Sequence, residues 1–215
     1  MRFKNAIILA IAMLLSSTVC SDELMDAIEH KENHKIHQLA KMGVDLNRIY
    51  KNHGGFRNMT PVVWAIKNEN VMGLNYLLAN GASANAAGGY SNLPAIAQVA
   101  QTSKLSTEKM LLMIDILMKH GADISATSSG GGTVLHAAAY SERPEVASKY
   151  IAYGADRNAK DNDGKTSFEL AKMFKHKSVL DILEPEDDKL SKDNYQSIGA
   201  FNKSSLKLSP YIESK

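Results

Sequence analysis

Glycines that close helices recur along this chain, and that recurrence limits what the chain can become. Gly43, Gly81, Gly121 and Gly154 stand 38, 40 and 33 residues apart. The residues expected to open the first helix of each unit, Thr60, Leu93, Thr133 and Thr166, are spaced by 33, 40 and 33. Two independent landmarks with a common rhythm point to a tandem repeat. Each unit of such an array buries its apolar face against its neighbours.

Within the units the apolar residues fall at helical spacing. Leu24, Ala27 and Ile28 make one stripe, and Ile36, Leu39 and Ala40 the next, before Gly43. The second unit opens Thr60-Pro61-Val62-Val63-Trp64-Ala65, where proline suits the first helical turn, and Leu74, Leu77 and Leu78 line its second helix. Leu93-Pro94-Ala95-Ile96 opens the third, with polar residues Gln101–Glu108 before the helix Met110–Met118. The fourth begins Thr133-Val134-Leu135-His136-Ala137-Ala138-Ala139, just after Gly130-Gly131-Gly132 and fifteen residues before Gly154-Ala155-Asp156. The fifth runs from Asp163-Gly164-Lys165-Thr166 to Leu183.

This pattern resembles the ankyrin repeat, whose first helix opens Thr-Pro-Leu-His-x-Ala-Ala and whose second ends at Gly-Ala-Asp. The family period is 33, so three of the six intervals are standard and three carry insertions. The resemblance is specific in the second, fourth and fifth units and weaker in the first and third. It implies a mostly α fold, a solenoid of about five helix-turn-helix repeats over residues 21–184. It also implies a binding surface rather than an enzyme. His136, at the histidine of the motif, is expected to bridge backbone groups of neighbouring repeats.

The two ends of the chain read differently. Residues 1–20 look like an export signal of Sec or lipoprotein type: Arg2 and Lys4, the apolar run Ala6–Leu15, then small polar residues. That run is shorter than the roughly 20 residues that span a bilayer. Cys20, the only cysteine, stands where cleavage is expected and is the lipidation candidate, although Val19 and Ser17 depart from the lipoprotein pattern. Expected localisation is therefore periplasmic, either soluble or anchored to the membrane through a lipid. Initiation at an internal methionine such as Met25 would leave an unexported form. After Glu184 the residues 185–215 form a polar tail, disordered or docked on the last repeat.

Charge excludes one class of partner. Without Arg2 and Lys4 the chain has 23 basic and 23 acidic side chains, with no basic cluster, so nucleic acid is not expected. Motifs for cofactors also fail on inspection. His30, His34 and His37 have metal-ligand spacing, yet the inter-helix turn separates them. Ala159–Thr166 echoes a phosphate loop and a calcium loop, but Ala159 occupies the position of an essential glycine in one and of the first ligand in the other. Asp161 is expected to brace the turn. Gly130–Gly132 is read as a flexible turn tip or a point of close approach to a partner. No cofactor is expected.

Ankyrin proteins bind through their turn tips and through the first-helix position just after the motif histidine, which here is Trp64. Tyr50, Phe56, Arg57 and Tyr90 lie nearby in the array and complete the candidate patch, aromatic and arginine residues being enriched at binding hot spots. A second reading of Trp64 has it filling a gap beneath the long loop Arg48–Asn58. The chain, a monomer on its own, is expected to bind one cognate protein. An immunity protein against a delivered toxin, such as a lipase or phospholipase, fits that description by analogy. An envelope scaffold with several weak partners is the alternative.

Overall fold

The structure is a computed structural model that describes residues 22–184, and the described residues are mostly helical. The export signal, Cys20 and the tail 185–215 lie outside them. Helix α1 covers 22–29, followed by α2 (Asn33–Lys41). A hairpin of β1 (Tyr50–His53) and β2 (Phe56–Met59) leads into α3 (Pro61–Lys67) and α4 (Val71–Ala79). The short strands β3 (Ala87–Gly88) and β4 (Leu93–Pro94) precede α5 (Ala95–Gln101) and α6 (Thr107–Lys119). Then come α7 (Val134–Tyr140), α8 (Pro144–Ala152), α9 (Ser167–Phe174) and α10 (Lys177–Leu183).

The helices pack in two rows. One row runs α3, α5, α7, α9 and the other α2, α4, α6, α8, α10, each helix touching the next in its row. Small residues let the first row close up: Ala95, Ala97, Ala100 and Ala137–Ala139 are all buried. Bulkier Leu74, Leu77, Met110, Met113, Leu117, Val146 and Tyr150 fill the space behind them in one continuous core. The Tyr150 hydroxyl donates to the Ile96 carbonyl at 2.6 Å, so this buried polar group is satisfied across neighbouring helix pairs.

Local chemistry sets the ends of the helices. Thr60 Oγ1 accepts from the Val63 N–H at 3.3 Å, and Thr166 forms a reciprocal capping box with Glu169. Asn70 caps α4 through Gly73 N–H at 2.8 Å while its amide donates to the Ile28 carbonyl at 3.1 Å. The third unit departs from the expected register. Leu93 belongs to β4, and Pro94, extended at φ −56° and ψ 144°, is the residue that enters α5. Lacking a side-chain cap, this helix starts one residue later than the threonine pattern predicts.

At the ends of α2, α4, α6 and α8 the recurring glycine takes a left-handed conformation, with φ between 81° and 97°. The next residue then bonds back into the helix, as in Ala82 to Leu77, Ala122 to Leu117 and Ala155 to Tyr150, each at 3.0 Å. Four residues beyond Gly43 and Gly81 stand Asn47 and Asn85. Each donates to the following glycine's carbonyl and accepts from the backbone two residues past it, at 2.7 Å for Ser83 and Asp123. These asparagines fasten successive turns together.

Candidate binding surface

Turn tips and the first row of helices enclose a groove of about 430 Å³. Its outer wall is continuous because the tips bond to one another. Gly89 donates to the Arg57 carbonyl at 3.0 Å, Ser129 to Ser91 at 2.9 Å and Asn162 to Gly130 at 3.0 Å. The glycine cluster makes the last of these contacts possible. A Cβ on Gly131 would stand 2.8 Å from the Asn162 backbone nitrogen, so the close approach is to the chain's own next turn. Asp161 Oδ1 braces that turn, accepting from the Asp163 and Lys165 N–H groups at 3.0 and 2.9 Å.

The inner wall is held equally firmly. His136 Nδ1 accepts from the Thr133 N–H at 3.2 Å and meets the Thr133 hydroxyl at 2.9 Å. Its Nε2 lies 2.9 Å from the Lys165 carbonyl, which assigns the proton to Nε2 and makes the ring a bridge to the next unit. Gln98 spends its amide donors on the Gly88 and Leu93 carbonyls, both at 3.1 Å, locking the β3–β4 turn onto α5. His136 and Gln98 are posts of the groove.

The five candidate residues divide between support and surface. Tyr50, His53, Trp64 and Phe56 form a chain of edge-on rings, with 4.8 Å between the centroids of His53 and Trp64 and 6.1 Å between those of Phe56 and Trp64. Trp64 is only 5% exposed, lying under the hairpin tip, and Tyr50 is 8% exposed. The structure therefore brings Trp64 into the gap beneath the loop. Phe56 is 40% and Tyr90 77% exposed, both on the groove, and the Arg57 guanidinium lies 5.4 Å from the Tyr90 ring centroid.

Lys67, Gln101 and Tyr140 also line the groove, and the sequence reading missed them. Each is the last residue of its first helix and the seventh after the residue that enters it, counting from Thr60, Pro94 and Thr133. Counting from Leu93 lands on buried Ala100, so only the structural register aligns the three. Lys67 is half-buried with its ammonium 4.6 Å from the Phe56 ring centroid, and burial pulls its pKa below the ordinary lysine value. Tyr140 is 56% exposed and meets Phe174 edge-on.

Elsewhere, His30 sits in the turn after α1 with Nδ1 on the Asp26 carbonyl, while His34 and His37 belong to α2. Among the described residues no three His, Cys, Asp or Glu side chains gather as a metal site. None of the described helices is long and apolar enough to cross a membrane.

Comparison with known proteins agrees with this geometry. Residues 117–171 match the family model of ankyrin repeats in many copies. The chain is 28% identical over 153 residues to an ankyrin repeat protein of fowlpox virus, a match covering 69% of this chain and 42% of the viral one. It is 39% identical over 57 residues to protein phosphatase 1 regulatory subunit 27 of human, covering 26% of this chain and 37% of that protein, and equally to the mouse protein. The matches thus span about two fifths of the length of these curated relatives. Ankyrin repeats are protein-binding modules and generally non-catalytic.

Proposed function

We propose that the chain is a solenoid of about five ankyrin repeats acting as a non-catalytic binding module, with the groove between turn tips and first helices as its contact surface. The observation that carries this reading is the groove itself. Its backbone is fixed by turn-to-turn hydrogen bonds, yet it presents Phe56, Tyr90 and Tyr140 to solvent. Rigid walls with exposed rings lose little entropy when a partner docks, and aromatic anchors contribute most at protein interfaces. Arg57 belongs to the same patch, with Tyr50 and Trp64 supporting it from below.

The narrower form of the reading is inhibition of one protein in the bacterial envelope. The signal-like residues 1–20 support export, with Cys20 as the site of a lipid anchor. One relative is by name a regulatory subunit of an enzyme, which fits an array that occupies an enzyme. An immunity protein that neutralises a delivered toxin, such as a type VI secretion phospholipase, is the role we assign.

Expression of the full chain with its neighbouring genes, followed by purification from the envelope and mass spectrometry, tests both levels. The expected result is one stoichiometric enzyme whose activity falls on binding, together with a mature protein beginning at or just after Cys20. Several weak, substoichiometric partners would make it an envelope scaffold instead. An uncleaved cytoplasmic chain would end the export reading.

A further inference from the structure

One cation in the groove, Lys67, has no carboxylate partner among the described residues, and that narrows what fits beside it. Acids are sparse in the chain around it: between Asp45 and Lys104 the only one is Glu69. Glu69 is engaged with the Lys109 ammonium at 3.3 Å. Among the described residues, no carboxylate pairs with Lys67 or Arg57, which instead lie over the rings of Phe56 and Tyr90. The one carboxylate in the groove wall, Asp161, has its Oδ1 committed to two backbone N–H groups.

A half-buried ammonium has given up part of its hydration, and a ring face returns only a fraction of that loss. A carboxylate brought by a partner would restore it with a charge-assisted hydrogen bond. Around Lys67 the groove offers apolar area, from Phe56, Tyr90 and Tyr140. We propose that the groove receives an acidic segment of a partner protein, with one carboxylate on Lys67 and one large apolar side chain lodged between Phe56, Tyr90 and Tyr140. The proposal rests on the groove being the contact surface. A phosphate backbone fits less well. Residues 22–184 carry 18 basic and 18 acidic side chains, and strong phosphate binding takes a concentrated row of cations.

Panning a phage library of short random peptides against the full chain tests this without knowledge of the partner. The enriched peptides are then titrated against Lys67→Met, Lys67→Arg and Tyr140→Ser proteins, each checked for native circular dichroism, with Tyr90→Ala as a second apolar variant. We expect acidic peptides with an aromatic residue, losing about tenfold in affinity for Lys67→Met while keeping it for Lys67→Arg. Peptides that need Tyr140 or Tyr90 but bind Lys67→Met unchanged overturn the acidic partner and leave the groove reading standing. Peptides indifferent to all the variants, or no enrichment, overturn both. Displacement of the peptides by single-stranded oligo(dT) would assign the groove to nucleic acid and overturn the proposal.

Discussion

Gly54 shows how one absent side chain shapes this surface. Its φ of +54° is already costly for other residues, and a Cβ there would stand 2.5 Å from Trp64 Cη2. Gly55 next to it has φ +79° and open space around its missing Cβ. Both alanine variants therefore bear backbone strain of about 1 kcal/mol, and Gly54→Ala adds an overpacking cost of about 1–3 kcal/mol. Urea denaturation should place Gly54→Ala clearly below Gly55→Ala, with altered Trp64 fluorescence in the former alone. Equal loss in the two would mean that Trp64 does not pack under the tip. His136 invites the same scrutiny, since its two nitrogens satisfy groups in two units. His136→Ala should cost about 1–3 kcal/mol, because the buried Thr133 N–H loses its partner and the Lys165 carbonyl its tie to α7. The histidine is legible in the sequence because its motif is local, whereas for Trp64 the sequence leaves both surface and burial beneath the loop open, because its burial depends on a hairpin folding back over it.

At the level of elements, the helix ends carried most of the readable signal. Thr60, Thr133 and Thr166 announced α3, α7 and α9 because a hydroxyl cap is a local device. Pro94 gives no such sign, so the motif register falls one residue short at α5 and does not align Gln101 with Lys67 and Tyr140. The β1–β2 hairpin is legible only as a loop, because Lys51-Asn52 and Arg57-Asn58 break the apolar alternation that marks a strand. Contacts between second helices were not legible at all, and one has a testable pH signature. Asp115 of α6 receives the Lys149 ammonium at 2.7 Å and the Tyr153 hydroxyl, both from the α8 end. The Lys149 hydrogen bond first, then that of Tyr153, hold the Asp115 carboxyl below its ordinary value of 3.8. The lysine is raised above 10.5 by the same bond. The pair's contribution is thus full between these ordinary values. It is lost as pH falls through the lowered aspartate pKa, or rises through the elevated lysine pKa. Being exposed, the pair contributes less than about 1 kcal/mol. Asp115→Asn should lower the melting temperature slightly at pH 7, and the difference should shrink as pH falls below the ordinary carboxylate range and the lowered Asp115 carboxyl takes up its proton.

Across the whole molecule, each helix touches chiefly its neighbours in the row and its own partner, so stability should be distributed along the chain rather than pooled. Damage at an end and damage in the middle then have different consequences. Val179 is buried in α10, the last described helix, while Met113 is buried in α6, between α4 and α8. Met113→Ala opens a cavity worth about 2–5 kcal/mol where two neighbours meet, and should uncouple the array on either side. Val179→Ala removes less, and at the end of the array, where α10 packs chiefly on α9 and α8. Hydrogen exchange should show protection lost at α9 and α10 in the Val179 variant with α3–α6 unaffected. The Met113 variant should lose protection from α4 through α8. The functional consequence follows from position. Phe56, Lys67 and Tyr90 lie on β2, α3 and the β3–β4 turn, beyond the reach of a frayed C-terminal pair, whereas Tyr140 meets Phe174 of α9. Peptide binding at the groove should therefore weaken only through Tyr140 in Val179→Ala, and more in Met113→Ala, whose loosened α5–α6 pair carries the groove's inner wall. If both variants unfold in one cooperative step and lose binding equally, the chain behaves as a single pooled core, and the groove's rigidity would depend on every helix pair at once.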